Sequence, residues 1–258
     1  MTVYKFIETS VDQRIGLIEL NRPKQLNSLN REMVREILEA MQSFDRNDEV
    51  RVILLAGRGK AFSSGADIDE MAGADSMSLE LLNQFADWDQ IPLIKKPVIG
   101  AVHGFVFGGG FELALCCDIL LAANGTEFSF PEVSLGVMPG AGGTQRLTKL
   151  VGRTKAIEWL WTGERIKAEE LLKHRVINRI VSAEVLHEEA LRFAEKLAGM
   201  PPLALRMIKD SVNKAVDYSL YEGMQYERKN FYLLFSSEDQ KEGMQAFVEK
   251  RKPIYQGK

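Results

Sequence analysis

The sequence predicts an α/β fold with a mostly parallel sheet, on three observations. Continuous apolar runs such as residues 50–56 (Val-Arg-Val-Ile-Leu-Leu-Ala) and 97–102 suit strands covered on both faces. These runs alternate with segments whose apolar residues recur at helical spacing. After Gly143 the helical pattern takes over almost entirely.

Each element has its own local reason. Residues 3–9 and 14–20 form paired strands around an Asp12-Gln13 turn. Asn30 caps a helix whose core face is Met33, Val34, Ile37, Leu38, Met41 and Phe44. The strand 50–56 follows, then a helix over 79–88 and the strand 97–102. A glycine-started helix over 111–117 precedes the strand 118–123. Further helices are predicted over 144–150, 155–161, 168–174, 184–198, 203–216, 220–234 and 238–249, with one strand at 176–181. Pro201-Pro202 separates two of these helices. The chain therefore divides into an α/β core over 1–200 and a helical segment over 201–258. That segment is small for a core of its own. Its Phe231, Tyr232, Leu233, Leu234, Phe235, Met244, Phe247 and Val248 should pack on the body or on another subunit.

Bulk composition narrows the function classes. The 258 residues are 45% hydrophobic and 27% charged with net charge −3, an ordinary soluble balance that points to neither nucleic acid nor a membrane as partner. Cys116 and Cys117 are adjacent in an apolar run, which fits small core residues in a reducing compartment, not a disulfide framework or a zinc site. The chain opens on a strand pattern without a signal h-region or transit-type segment, so a cytoplasmic location is expected. No internal repeat or low-complexity tract is evident.

The chemistry concentrates around two glycine-containing turns and two glutamates. Gly108-Gly109-Gly110 leaves backbone bare to a ligand, and the helix that starts there presents unpaired N–H groups and a positive dipole end. The turn Ala61-Phe62-Ser63-Ser64-Gly65-Ala66-Asp67-Ile68 follows another buried strand. Two such turns can each aim one N–H at a single oxygen, which is an oxyanion hole. Glu112 rides the new helix and Glu132 follows Pro131 in a later loop, offering a proton donor and a proton acceptor. The arrangement suits an enzyme that polarises a carbonyl and moves protons beside it.

These motifs resemble the enoyl-CoA hydratase/isomerase family, also called the crotonase superfamily. Further matching stretches are Leu20-Asn21-Arg22-Pro23-Lys24, Glu132-Val133-Ser134-Leu135-Gly136, Pro139-Gly140-Ala141-Gly142-Gly143-Thr144-Gln145-Arg146-Leu147, and the closing Glu238–Gly243 and Phe247–Pro253 segments. The resemblance covers essentially the whole chain. It implies a spiral of ββα units with C-terminal helices that build trimers, often stacked into hexamers. It also implies an acyl-CoA thioester substrate and an enolate held at the thioester oxygen by the N–H groups of Ala66 and Gly109. Lys24, Leu26, Asp67 and Ile68 would line the CoA site. Phe231 and Lys250 would reach the CoA of a neighbouring subunit. Glutamates at both positions favour hydration of a trans-2-enoyl-CoA, with Glu112 accepting the proton of water and Glu132 delivering one to C2. No cofactor beyond the substrate's own CoA is implied. Enoyl isomerisation, or hydration of a branched or dicarboxylic enoyl-CoA, is the alternative. A non-catalytic RNA-binding relative is disfavoured by the intact glutamates and the acidic charge. Phe107 and Phe111 bracket the glycines where smaller or aliphatic residues often sit, which leaves chain-length preference open.

Other residues have plainer readings. His103 ends a strand near the site and reads as a hydrogen-bonded structural residue; His174 and His187 lie on polar helix faces. Lys241, Lys250, Arg251 and Lys252 form a solvated helix face unless Lys250 meets a phosphate. Asp67 and Asp69 lack the further ligands that a metal needs. The glycine spacing and position do not fit a dinucleotide fingerprint.

Overall fold

A computed structural model describes residues 3–258. The chain runs β1 (Ile7–Asp12), β2 (Ile15–Leu20), α1 (Arg31–Arg46), β3 (Val52–Gly57), α2 (Ser76–Leu82), α3 (Ala86–Gln90), β4 (Val98–Val102), β5 (Phe105–Phe107) and α4 (Gly109–Ala114). It continues with β6 (Ile119–Ala123), β7 (Glu127–Ser129), α5 (Gly143–Val151), α6 (Arg153–Thr162), β8 (Ile166–Lys167), α7 (Ala168–Lys173) and β9 (Arg179–Val181). Four helices close it: α8 (Leu186–Ala198), α9 (Pro202–Ala215), α10 (Leu220–Leu234) and α11 (Glu238–Glu249).

The main sheet has the order β1-β2-β3-β4-β6-β9, and every pair except β1/β2 is parallel. Alternation along β3 explains why both faces are covered. Ile53 and Leu55 point into a large core with α1, α4, Phe128 and Phe130. Val52 and Leu54 point the other way, onto Leu186, Ala190, Ala194 and Ala198 of α8. Those α8 residues recur every fourth position and are mostly alanine, so the helix lies close on the sheet. A second sheet, β5-β7-β8, is built from strands of two or three residues and carries the chain into the site.

Several predicted boundaries are corrected. The first strand is Ile7–Asp12, not 3–9, and the hairpin turns at Gln13-Arg14, both with positive φ (47° and 67°), rather than at Asp12-Gln13. This two-residue geometry matches the twist of the flanking strands. The single helix predicted over 79–88 is two, because Asn83 adopts a left-handed φ of 47° and ends the first. The helix expected over 111–117 starts two residues earlier and stops at Ala114. Only Arg179–Val181 of the predicted 176–181 strand pairs; Val176 and Ile177 are buried in the core instead. The prediction missed all three strands of the second sheet.

α9 to α11 fasten to the body through a few polar ties. Arg51 donates to the carbonyls of Ala198 (3.0 Å) and Tyr255 (2.6 Å). Lys209 pairs with Asp118 at 2.7 Å. Phe231, Tyr232, Leu233, Phe247 and Val248 remain exposed.

Candidate active site

The two glycine-containing turns are stitched together side by side. The Ser63 N–H donates to the Phe105 carbonyl (3.1 Å), and the Phe107 N–H donates back to the Ser63 carbonyl (3.0 Å). Ser63 is fully buried; its hydroxyl donates to the Asn27 carbonyl (2.8 Å) and accepts from the Gly65 N–H (3.2 Å). A Cβ on Gly110 would sit 2.6 Å from the Ser63 Cβ, so glycine there lets the turns close. Gly108, at φ 49° and ψ −125°, supplies the left-handed kink that starts α4. The outcome is a near meeting of two amides: a Cβ on Gly109 would lie 3.5 Å from the Ala66 nitrogen. Among the described residues neither the Ala66 nor the Gly109 N–H has a backbone or side-chain acceptor. Gly109 is buried, where an amide without a partner is uncommon, and Ala66 is exposed beside it, so the two free N–H groups form a ready oxyanion site open to an incoming carbonyl.

Glu112 follows the glycine turn on α4 and the Glu132 carboxylate abuts Gly108, but their surroundings differ. Glu112, in the first turn of α4, is 3% exposed. Its Oε1 accepts from the N–H groups of Ala141 (2.7 Å) and Gly143 (2.8 Å). Its pKa lies above the ordinary carboxylate value because burial outweighs the two donors and the positive charge of Arg146, which pull it down. Glu132 stands in the one-turn helix Pro131–Leu135 and is half-buried. Its Oε1 lies 2.9 Å from where a Gly108 Cβ would be, and its Oε2 is buried with no hydrogen-bond partner among the described residues. Burial and the nearby charge of Glu112 push its pKa up to about 7. One proton shared unequally between two carboxylates is the expected resting state.

The predicted CoA-side residues form one rim beside Ala66. The Leu26 carbonyl accepts from Ser64 (2.9 Å), and the Asp67 N–H donates to the Leu29 carbonyl (2.9 Å). The Asp67 carboxylate is paired with Arg22 at 2.9 Å, which ties residues 22–29 to residues 64–67. Lys24 and Ile68 are exposed along that rim. Phe231 and Lys250 are elsewhere: Phe231 is an exposed residue of α10 packed edge-on to Phe235, and Lys250 is the exposed left-handed cap of α11. The structure does not bring these two to the rim of their own chain.

The side readings also resolve. The His103 ring bonds the Gly59 carbonyl at 3.0 Å, and His174 bonds Glu170 at 3.2 Å. Arg251 forms ion pairs with Glu242 and Glu249, so it braces α11 rather than simply facing water. Among the described residues no group of three His, Cys, Asp or Glu is placed to hold a metal.

Sequence reasoning missed the groups that set the glutamates apart. Ala141 and Gly143 act through backbone N–H, and only their glycine-rich context, Pro139–Thr144, hinted at this. Phe85 was unremarked, yet its ring packs on Gly140, where a Cβ would come within 2.5 Å of it. Phe111 is corrected: it is fully buried and stacks on Phe130 with centroids 4.7 Å apart, so it faces the core and not the acyl path.

The sequence pattern of the enoyl-CoA hydratase/isomerase family matches residues 10–258. Over 96% of the chain and 97% of the relative, it is 45% identical to a Rhizobium meliloti protein named "Probable enoyl-CoA hydratase". It is 45% identical to the mitochondrial enoyl-CoA hydratase of Pongo abelii over 92% of the chain and 82% of that protein. A crystal structure of enoyl-CoA hydratase subunit I from Geobacillus kaustophilus superposes with a TM-score of 0.97 at 62% identity, covering 99% of each chain.

Proposed function

The chain belongs to the enoyl-CoA hydratase/isomerase family, a family of enzymes, and on that premise we propose that it adds water across trans-2-enoyl-CoA to give 3-hydroxyacyl-CoA. The thioester oxygen accepts from the Ala66 and Gly109 N–H groups, which carry the negative charge as it develops. Glu112, ionised in its two-amide cradle, takes a proton from water as the oxygen bonds to C3. Glu132, protonated at rest, gives its proton to C2 as the enolate collapses. The balance is one water consumed: Glu112 gains the proton that water loses, Glu132 loses the proton that C2 gains, and transfer of one proton from Glu112 to Glu132 restores the starting pair. The observation that carries this reading is the unlike environment of the two glutamates beside a pair of unused amides. The test is loss of the conjugated enoyl-thioester absorbance of crotonyl-CoA on adding enzyme. Full activity in both Glu112→Gln and Glu132→Gln would overturn it.

In the same reading Lys24, Leu26, Asp67 and Ile68 contact the CoA adenine and phosphates. Phe231 and Lys250 do so for the CoA of a neighbouring subunit. The protein works as a trimer or a hexamer, with residues 1–200 as the catalytic core and 201–258 as the assembling segment. Support comes from the exposed apolar residues of α10 and α11, of which Phe247 is 85% and Val248 79% exposed. The reaction needs no cofactor beyond the CoA of its substrate. A cytoplasmic location is part of the same proposal; separately, among the described residues no helix is long and apolar enough to cross a membrane.

A further inference from the structure

Arg146 is placed where electrostatics should disfavour it. It lies in the first turn of α5, and a helix N-terminus attracts anions and repels cations. Its side chain folds back over that terminus: a Cβ on the left-handed Gly142 (φ 104°) would come within 3.1 Å of the Arg146 Nε. That Nε is buried and has no hydrogen-bond partner among the described residues. A buried, unpaired donor on a charged side chain is costly unless a counter-charge compensates. The same turn supplies one: the Gly143 N–H, three residues before Arg146, holds the Glu112 carboxylate at 2.8 Å.

We propose that Arg146 is a positioning residue that keeps Glu112 ionised, so that Glu112 rather than Glu132 takes the role of base. The charge of Arg146 acts on Glu112 and also on Cys116, two residues beyond the end of α4. The other groups facing this pocket cannot substitute for it. Glu132, protonated at rest, has no positive charge to offer. The Cys116 thiol is pushed up to about 11 by burial and stays neutral. Lys209, beyond the far end of α4, is already paired with Asp118 at 2.7 Å. Glu112 has two amides to bond its charge but only one cation to balance it.

This inference rests on the proposed hydration chemistry, so its test has one readout independent of turnover. The carboxylates of the substrate-free protein are titrated by carbon-13 NMR, assigned with Glu112→Gln and Glu132→Gln. In the unaltered protein Glu112 must titrate at lower pH than Glu132; the reverse order overturns the proposal with no Arg146 variant needed. In Arg146→Met, Glu112 should titrate at a proton concentration at least tenfold lower, and the acidic limb of kcat/KM should move with it. Arg146→Lys, which keeps the charge, should leave both within about threefold. An unmoved Glu112 titration in Arg146→Met, or equal shifts in the Met and Lys variants, overturns it. Absence of hydration in the unaltered protein would sink the base assignment instead, while the titration still reads the Arg146–Glu112 coupling.

Discussion

The two carboxylate supports of the site make an instructive pair. Glu112 hangs from a helix and receives two N–H groups, 29 and 31 residues further on, from the loop before α5 and from its first residue. Glu132 sits on a single helical turn with one buried oxygen that nothing in the described chain satisfies. Both acids are withdrawn from water, yet only one is given what an anion needs. The difference teaches that donors placed around a carboxylate count as well as the depth of its burial: burial raises both groups, and the two amides pull against it at the more deeply buried Glu112.

The strongest way to break this contrast is to remove either proton carrier. Glu112→Gln and Glu132→Gln should each slow hydration by about 10²–10⁴-fold, read as kcat on crotonyl-CoA. The next effect is structural. Gly110→Ala forces a methyl group into Ser63, and in a packed site that costs about 1–3 kcal/mol and spreads the two amide turns. It should lower both Tm and kcat, whereas Gly125→Ala, in open space but at a φ of 78° that strains any side chain, should lower Tm and leave kcat unaltered.

Titration sharpens the comparison further. With Glu132 at about 7, the acid form is lost as pH rises through that value, so kcat/KM should fall on the alkaline side. Its folded pKa lies above the ordinary value, so the stability linked to its protonation is complete below about pH 4.5 and lost as pH rises through about 7. Glu132→Gln should therefore raise Tm relative to the unaltered protein at pH 8 more than at pH 5; an equal change at both would contradict the burial argument. The smallest effect concerns substrate length. Phe85→Ala removes the ring packed on Gly140 beside the Glu112 cradle, and should raise kcat/KM for longer enoyl-CoAs relative to crotonyl-CoA by several-fold.

Much of this was legible in the chain and some could not be. Buried parallel strands announce themselves as apolar runs, so β3, β4 and β6 were readable. β5, β7 and β8 were not, because two or three residues are too few to display a period. Asn83 split a helix through its left-handed backbone, which a residue of ordinary helical context did not reveal. At the candidate site, Glu112, Glu132, Ala66 and Gly109 were singled out from glycine and carboxylate patterns. Their proposed division of labour came with the family resemblance alone, because the amides around Glu112 that bear on it are brought near only by folding. Phe111 misled for the same reason: it adjoins the glycines in sequence but turns its ring inward to Phe130.

The unused amides of Ala66 and Gly109 belong to the main chain, and that has an evolutionary corollary. No side-chain replacement can delete a peptide N–H short of proline, so the carbonyl-gripping half of this pocket is largely shielded from point mutation. New reactivity arising on such a scaffold must therefore be written in the acids and the walls around the acyl group, while the grip itself is inherited intact.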